Sequence, residues 1–281
     1  MLLVKNIDTL EKCLGEWKSL GLSVGFVPTM GALHLGHLSL IEQAISENDK
    51  VVCSIFVNPT QFTDPKDLEN YPIQIEEDLV LLKKVGCDLV FTPTKTDMYP
   101  QGEEVVQFNI NDLDYLMEGA HRQGHFDGVC TIVSKLFELV RPKNAYFGQK
   151  DFQQLIIIRQ LNKIQKFNIN IVGCPIIRED NGLAMSSRNV LLSSREREIA
   201  AEIYRILKET KAKFPNSSVE SLKLFVETKL NAVSEFSVDY VEIAHAQTLQ
   251  SLSDLEKNEP AILCVAVFVG SVRLIDNILL N

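Results

Sequence analysis

Residues 25–40 read Gly-Phe-Val-Pro-Thr-Met-Gly-Ala-Leu-His-Leu-Gly-His-Leu-Ser-Leu, and this stretch decides the fold. It includes the end of a short, partly alternating apolar run, 22–27, which is typical of a buried strand. It leads into 38–45, where apolar residues recur at helical spacing. The stretch therefore predicts a strand, a glycine-bearing turn and a helix start. Such a turn directs free backbone N–H groups and the positive end of a helix dipole at one point, where an anion such as a phosphate can bind.

Two histidines stand in this turn. His34 and His37 are three residues apart, so near a helix start both imidazoles can point to the same side and donate to an anion. Gly31 and Gly36 lack a Cβ and let a ligand approach the backbone closely. The alternative is a pair of ordinary polar residues at a helix N-terminus. A Walker phosphate loop is excluded because histidine replaces its lysine, and zinc is excluded because no third ligand follows at suitable spacing.

The composition is that of an ordinary globular protein. The chain has 281 residues, 46% of them apolar and 23% charged, which allows one large domain or two. Its six cysteines are scattered, with no Cys-x-x-Cys pair, and are expected to be buried thiols in a reducing compartment. The amino-terminal apolar run is too short for a signal peptide, and the longest run, 261–269, is about half of the ~20 residues that a membrane span needs. A cytoplasmic protein without a membrane partner is expected.

The formal net charge of −9 also limits the partners. Surfaces that bind nucleic acid or anionic membranes need clustered lysine and arginine, so neither partner is expected. If the substrates are anions, a few cationic side chains must converge locally.

Apolar runs separated by helical patterns predict a parallel sheet. The expected strands are 22–27, 50–57, 88–91, 144–147 and 169–174. The near-continuous apolar character of 50–57 is typical of a strand in a parallel sheet that helices cover on both faces. The fold class is therefore α/β, with a Rossmann-like parallel sheet in residues 1–175 and a smaller C-terminal α+β lid domain in 176–281. The smaller domain is predicted to hold helices over 194–214 and 219–233 and strands over 237–244, 261–269 and 272–275.

Polar residues follow the predicted strands at the edge where ligands bind in open α/β sheets. Asn58 and Gln61 follow the second strand, and a plain Asn-Pro turn is the alternative there. Glu77 and Asp78 open a helix and are the candidate ligands for Mg²⁺, although acidic residues at this position also favour the helix dipole without any metal. Long polar segments such as 116–129 are often binding loops.

Two cations stand out beside glycine or hydroxyl residues. Lys150 follows Gly148 at another strand-to-helix turn, where a flexible cation can reach a phosphate; an exposed lysine at a helix start is the alternative. Arg188 follows two serines in a short loop after a predicted Asn-Gly hairpin, and the alternative is a hairpin exit leading to a helix cap.

These segments, in this order, resemble one family. The run from Pro28 to His37 is similar to the signature of the pantothenate synthetase (pantoate–β-alanine ligase) family, within the nucleotidyl-transferase superfamily that carries a His-x-Gly-His motif. Segments 57–62, 116–129, 147–154 and 185–189 resemble four further motifs of that family. The chain departs from the family at Ile73, where arginine is common, and at Gln149, where glutamate is common.

The resemblance implies an ATP-dependent ligase that condenses pantoate with β-alanine through a pantoyl-adenylate and releases AMP and pyrophosphate. It implies Mg²⁺ as the cofactor and a homodimer as the assembly. His34, His37, Lys150 and Arg188 are implied to be catalytic. The ATP site is implied to comprise Pro28, Met30, His34, Gly36, His37, Gly148, Lys150, Asp151, Ile177, Met185, Ser186, Ser187 and Arg188. The pantoate and β-alanine sites are implied to comprise Gln61, Gln154, Asn58, Glu118 and Arg122, and His125 is assigned no role.

Two other function classes stay open at this point. A related adenylyltransferase that acts on a phosphorylated small molecule would use the same His-x-Gly-His turn, but it would leave Gln61 and Gln154 without a carboxylate to bind. A noncatalytic nucleotide-sensing module would bind ATP without releasing pyrophosphate, and the intact Lys150 and 185–188 loop argue against it.

Overall fold

The computed structural model describes residues 1–254 and 260–281, which divide into two compact units. The first unit comprises 1–149 and 154–175, and the second comprises 150–153 and 176–281. The segment 150–153 therefore belongs to the second unit although it lies within the sequence range of the first.

The first unit is built on a parallel sheet of six strands. The strands are β1 (Leu2–Val4), β2 (Val24–Thr29), β3 (Lys50–Ile55), β4 (Leu89–Phe91), β5 (Asn144–Gly148) and β6 (Asn170–Cys174), and their order in the sheet is β1-β4-β3-β2-β5-β6. The helices between them are α1 (Ile7–Ser19), α2 (Leu35–Glu47), α3 (Pro65–Glu69), α4 (Ile75–Val85), α5 (Lys95–Met98), α6 (Met117–His121), α7 (His125–Val140) and α8 (Phe152–Gln165).

Burial explains why the central strands read as apolar runs. All five residues from Val51 to Ile55 in β3 are buried, as are Phe26 and Val27 in β2, because helices cover both faces of a parallel sheet. The core beneath α2 and α4 includes Leu33, Ile41 and Leu82. Strands that are apolar on both faces are stable only where both faces are covered, which is at the centre of the sheet.

The strand order reverses its direction between β2 and β5. From β2 the chain proceeds to β3 and β4 on one side, whereas β5 pairs with β2 on the other side, with Gly25 opposite Asn144. In open α/β sheets, ligands bind beyond the carboxyl ends of the strands at such a reversal. The loops that follow Thr29 in β2 and Gly148 in β5 therefore leave the sheet where a ligand site is expected.

In the part of the second unit that the structure describes, an antiparallel sheet of three strands packs with three α-helices. The strands are β7 (Phe236–His245), β8 (Ala261–Val269) and β9 (Val272–Leu279), in the order β7-β8-β9, and the helices are α9 (Ser194–Ala200), α10 (Glu202–Lys213) and α11 (Val219–Asn231). Its core joins residues of α10 and α11, such as Leu207 and Val226, to residues of β8, such as Val265.

The predicted fold class is confirmed, with three corrections to the elements. β1 is a strand that the sequence did not reveal, because three residues give no periodicity. The single helix predicted over 194–214 is two helices, since the Ala201 N–H bonds to the Glu198 carbonyl and tightens the turn between them. The helix predicted to begin near Val129 begins at His125.

The cysteines agree with the expectation of unpaired thiols. All six are free, and five of them are buried. Burial raises the pKa of Cys87, Cys130 and Cys174 to about 12, so these thiols stay protonated at neutral pH and are poor nucleophiles. Across residues 1–254 and 260–281, helices of the length and hydropathy needed to cross a bilayer do not occur.

Candidate active site

The carboxylate of Asp78, in the first turn of α4, holds the loop between β2 and α2. The backbone N–H of Ala32 donates to its Oδ2 at 2.9 Å, and that of Leu33 donates to its Oδ1 at 2.7 Å. Asp78 is 1% exposed, and a buried carboxylate is tolerable only when it is hydrogen-bonded. Burial raises the pKa of Asp78, and the two backbone donors oppose that rise. Both oxygens thus shape the loop.

The same loop requires glycine at position 31. Gly31 has φ +85°, in the left-handed region, and a Cβ there would lie 3.0 Å from both Asp78 Oδ2 and Ile55 Cγ2. Its N–H donates to the Thr29 hydroxyl oxygen at 3.2 Å, while that hydroxyl donates to the Ser54 carbonyl at 2.8 Å. The turn is therefore tied to β3 as well as to α4.

The two histidines stand at the N-terminus of α2. His34 is its N-cap, and its Nδ1 accepts a hydrogen bond from the Gly36 N–H at 3.1 Å. His37 lies one turn further, and its Nδ1 is 3.4 Å from the His34 N–H, which donates to it. The ring centroids are 4.1 Å apart. The two imidazoles therefore lie side by side, as their spacing predicts.

These backbone contacts determine the tautomers of both rings. A ring nitrogen that accepts a hydrogen bond carries no proton, so in the neutral imidazole the proton lies on the other nitrogen. Both Nδ1 atoms accept, so His34 and His37 each have an N–H donor at Nε2. Two such donors at the N-terminus of a 13-residue helix add to the positive end of the helix dipole.

The two carboxylates proposed for Mg²⁺ differ in their surroundings. Asp78 is buried and directs both oxygens to the backbone of the loop, whereas Glu77 is exposed beside it. No cluster of three or more potential metal-binding side chains occurs among residues 1–254 and 260–281, but a Mg²⁺ that arrives on ATP needs only one or two carboxylates. The assignment of Glu77 and Asp78 to Mg²⁺ stays a prediction. Asp78 also shapes the loop, and the sequence missed this contact because its partners lie 45 and 46 residues away in the chain.

Asn58, after β3, is a buried hub of hydrogen bonds. Its Nδ2 donates to Gln61 Oε1 at 3.2 Å and to the Gly128 carbonyl at 3.1 Å, and its Oδ1 accepts from the hydroxyl of Tyr99 at 2.6 Å. With 1% exposure and these contacts, Asn58 orients the amide of Gln61.

Gln61 lies close to the β2–α2 loop. Its Nε2 is 3.0 Å from Met30 Sδ, and its side chain is held in place through Asn58. The turn that carries it packs directly on α7, because a Cβ on Gly128 would be 2.3 Å from the Thr60 carbonyl oxygen. The structure thus brings together Met30 and Gln61, two residues proposed for ATP and pantoate.

His125, which the sequence left without a role, links Gln61 to Arg122. Its Nδ1 is 2.7 Å from the Gln61 carbonyl oxygen, and its Nε2 is 3.2 Å from Arg122 Nη1. A guanidinium can only donate, so Nε2 accepts and Nδ1 carries the proton given to Gln61. Arg122 Nη1 is also 3.9 Å from Glu118 Oε2. In the sequence, the one feature that pointed to His125 was its place near Arg122 and just before a predicted helix.

The loop 185–188 in the second unit is braced by polar contacts. The Ser186 hydroxyl oxygen accepts a hydrogen bond from the Arg188 N–H at 3.3 Å. The buried Asn189 donates to the Ala184 carbonyl at 3.1 Å and to Glu179 Oε1 at 2.8 Å. Glu179 in turn receives two hydrogen bonds from Arg197. These contacts restrict the backbone that carries Ser186, Ser187 and Arg188, the side chains proposed to bind phosphate.

The remaining predicted residues divide between the two units. Pro28, Gly36, Gly148 and Gln154 lie in the first unit with the histidines and Gln61. The second unit contains Lys150, Asp151, Ile177, Met185, Ser186, Ser187 and Arg188. Within it, the Met185 N–H donates to the Ile177 carbonyl at 3.0 Å, which places these two predicted ATP contacts side by side.

These features define a class of protein. A parallel sheet whose order reverses between β2 and β5, with two imidazole donors at a helix N-terminus beyond β2, is a Rossmann-like α/β fold whose carboxyl edge is suited to an anionic ligand.

Known proteins narrow the class to one family. The family model described as pantoate-beta-alanine ligase matches residues 2–279. The pantothenate synthetase of Phocaeicola vulgatus is 49% identical over 279 residues, covering 99% of both chains. The crystal structure of pantothenate synthetase from Thermus thermophilus superposes with a TM-score of 0.92 at 44% identity, covering 100% of this chain and 99% of that one. The chain belongs to the pantoate–β-alanine ligase family and is a ligase.

A third relative was crystallised with small molecules. It is the pantoate-beta-alanine ligase from Francisella tularensis, complexed with beta-gamma ATP and beta-alanine, with a TM-score of 0.83, 37% identity, and coverage of 100% of this chain and 98% of that one.

Asp78→Asn tests the role of the carboxylate in holding the loop. We expect the free energy of unfolding to fall by about 1–3 kcal/mol, because an amide offers one acceptor and leaves a buried backbone N–H unsatisfied. Urea denaturation measures this change. Glu77→Gln, an exposed neighbour, is the control and should stay within about 0.5 kcal/mol of the parent. Equal stabilities of Asp78→Asn and the parent would rule out the structural role.

His125→Phe tests the link between Gln61 and Arg122. The ring volume is kept while both hydrogen bonds are lost, so we expect the rate of pantothenate formation to fall about 10-fold to 100-fold through misplacement of the side chains that His125 holds. His121→Gln, at an exposed histidine of the same segment, should keep the parent rate. A folded His125→Phe variant with the parent rate would contradict the link.

Proposed function

We propose that the enzyme condenses pantoate with β-alanine in two steps that use ATP. The pantoate carboxylate attacks the α-phosphorus, an oxygen–phosphorus bond forms, and pyrophosphate leaves. The β-alanine amine then attacks the carbonyl carbon of the pantoyl-adenylate and AMP leaves. The family match over residues 2–279 carries the proposal. The Francisella tularensis relative, complexed with beta-gamma ATP and beta-alanine, supports two of the substrates.

The first step depends on charge and position more than on proton transfer. A carboxylate is ionised at neutral pH and needs no base, so the barrier comes from bringing an anion to a polyphosphate. The Nε2–H groups of His34 and His37, with the N-terminus of α2, are suited to donate to phosphate oxygens. Lys150 and Arg188 are assigned to the negative charge that develops on the leaving pyrophosphate.

Amide side chains are assigned to pantoate. Gln61 and Gln154 offer donors to its carboxylate and hydroxyl oxygens without adding charge. The buried contacts of Asn58 support an indirect role for it, in which it orients Gln61. Asp151 is assigned to the ribose of ATP by the family resemblance.

The second step requires a neutral amine, so the β-alanine ammonium first loses a proton. The carbon–nitrogen bond forms as the carbon–oxygen bond to AMP breaks, the electron pair leaves with the phosphate of AMP, and the nitrogen gives up a second proton as it becomes the amide. No residue is assigned to take these protons, which pass to water. Glu118 and Arg122 are assigned to the adenylate and the incoming amine by the family resemblance. The contacts of Arg122 with His125 support a fixed position for its guanidinium.

Mg²⁺ is proposed to enter on the phosphates of ATP as part of the nucleotide substrate. It would neutralise phosphate charge there, and Glu77 and Asp78 are the carboxylates assigned to it. A homodimer in the cytoplasm completes the proposal; the dimer follows from the family resemblance, and the six free cysteines suit a reducing compartment.

Pyrophosphate release tests the order of the steps. We expect release from ATP only when pantoate is present, and AMP only after β-alanine is added, because each bond change needs its own nucleophile. A coupled colorimetric assay for pyrophosphate and chromatography for AMP measure the two products. Exchange of labelled pyrophosphate into ATP without pantoate would contradict the proposal and favour an adenylyltransferase for another substrate.

Lys150→Ala tests the proposed cation. We expect the rate of adenylation to fall by on the order of a hundredfold or more, the scale seen when one electrostatic stabiliser of a transition state is removed. Rapid-quench measurement of pantoyl-adenylate gives this rate directly. Lys163→Ala, at an exposed lysine of α8, is the matched control and should keep the parent rate. Parent-like adenylation by Lys150→Ala would remove this residue from the mechanism.

A further inference from the structure

The backbone of Lys150 is tied to the last strand of the chain. Lys150 lies in a single 3-10 turn, Gln149–Asp151. Its carbonyl oxygen accepts a hydrogen bond from Asn277 Nδ2 at 2.9 Å. Asn277 is in β9 and 6% exposed, so water competes little for this bond. Both residues belong to the second unit, although 127 positions separate them in the sequence.

The neighbour of Asn277 extends the contact into a network. Asp276, which is 5% exposed, receives two parallel hydrogen bonds from Arg178, at 2.6 and 2.9 Å, and also accepts from the Asn277 N–H at 2.8 Å. The guanidinium of Arg178 lies 3.5 Å from the ring centroid of Tyr204. A bidentate, stacked arginine has one geometry, so this part of β9 is rigid.

The same arginine holds the hairpin that precedes the 185–188 loop. Arg178 Nη1 donates to the Gly182 carbonyl at 3.2 Å, and Arg178 pairs with Ala184 in an isolated bridge. Burial raises the pKa of Asp276, and the charges of Arg178 and Lys150 oppose that rise. The Lys150 ammonium thus belongs to the electrostatic surroundings of the network.

We infer that Asn277 is a positioning residue for Lys150, acting through its hydrogen bond to the Lys150 carbonyl. The inference rests on the proposed role of Lys150 in adenylation. A lysine ammonium on a four-carbon stem samples many positions, and fixing its backbone on a strand reduces them. Asn277 itself touches no substrate in this account. Its contribution should be seen only while the lysine side chain is present.

A double-mutant cycle separates positioning from plain stabilisation. Asn277→Leu keeps the approximate volume and removes the donor, and it is made in the parent enzyme and in Lys150→Ala. In the parent background we expect the single-turnover rate of adenylation to fall about 10-fold to 100-fold. A loss of this size is expected when a catalytic group is displaced by about 1 Å. In the Lys150→Ala background we expect no further loss, because the group that Asn277 positions is gone.

Two further variants complete the experiment. Arg273→Gln lies on the same strand and breaks an ion pair with Asp239 that does not touch Lys150, so it should keep the parent rate. If Asn277→Leu does not fold, Asn277→Ser replaces it in both backgrounds of the cycle. Circular dichroism and thermal unfolding identify the folded variants.

The outcomes distinguish this inference from the proposed function. An equal loss in both backgrounds, or a parent-like rate in a folded Asn277 variant while Lys150→Ala is impaired, would overturn the positioning role alone. Parent-like adenylation by Lys150→Ala would overturn the role of the lysine in the proposed function, and the positioning role with it.

Discussion

A buried carboxylate accepting two backbone N–H groups is the constraint on which the first unit depends. Without Asp78, the N–H groups of Ala32 and Leu33 would lose the carboxylate oxygens to which they donate, beside the core of the parallel sheet. With it, the chain leaves β2 in a fixed turn and enters α2 with His34 as the N-cap. The direction of the two imidazoles thus depends on a carboxylate from another helix.

The second unit uses the same physical device. A buried aspartate, Asp276, accepts from a stacked arginine and from backbone, and its neighbour Asn277 holds the carbonyl of Lys150. The proposed roles of Lys150 and Arg188 place cations against a polyphosphate in a chain of net charge −9, and such roles are favoured by a backbone that is held in place. Buried polar networks provide that support because their geometry has few alternatives once every partner is satisfied.

Local sequence patterns were sufficient to predict most of the strands of both sheets. Continuous apolar runs, helical spacing and glycine-bearing turns predicted five of the six parallel strands and the strands of the smaller sheet, since burial on two faces leaves a strong mark on sequence. The motif around His34 and His37 also predicted a pair of imidazoles at a helix start. β1 was not predicted because this short strand is defined by its pairing with β4, which lies far along the chain.

Contacts between residues that are far apart in the sequence could not be predicted from local sequence patterns. The contact of Asp78 with the β2–α2 loop was missed because an acidic residue in a first helical turn gives no sign of the backbone that it meets in space. His125 was passed over because its partners, the Gln61 carbonyl and Arg122, become neighbours only when α7 packs on the turn after β3. Asn277 carried no signal at all.

The most direct measurement is a crystal structure of this protein with a non-hydrolysable ATP analogue. Phosphate oxygens of the bound analogue should lie within about 3.2 Å of the Nε2 atoms of His34 and His37, at the N-terminus of α2. Phosphates bound elsewhere, with both imidazoles turned away from the nucleotide, would contradict the claim that this turn exists to bind them.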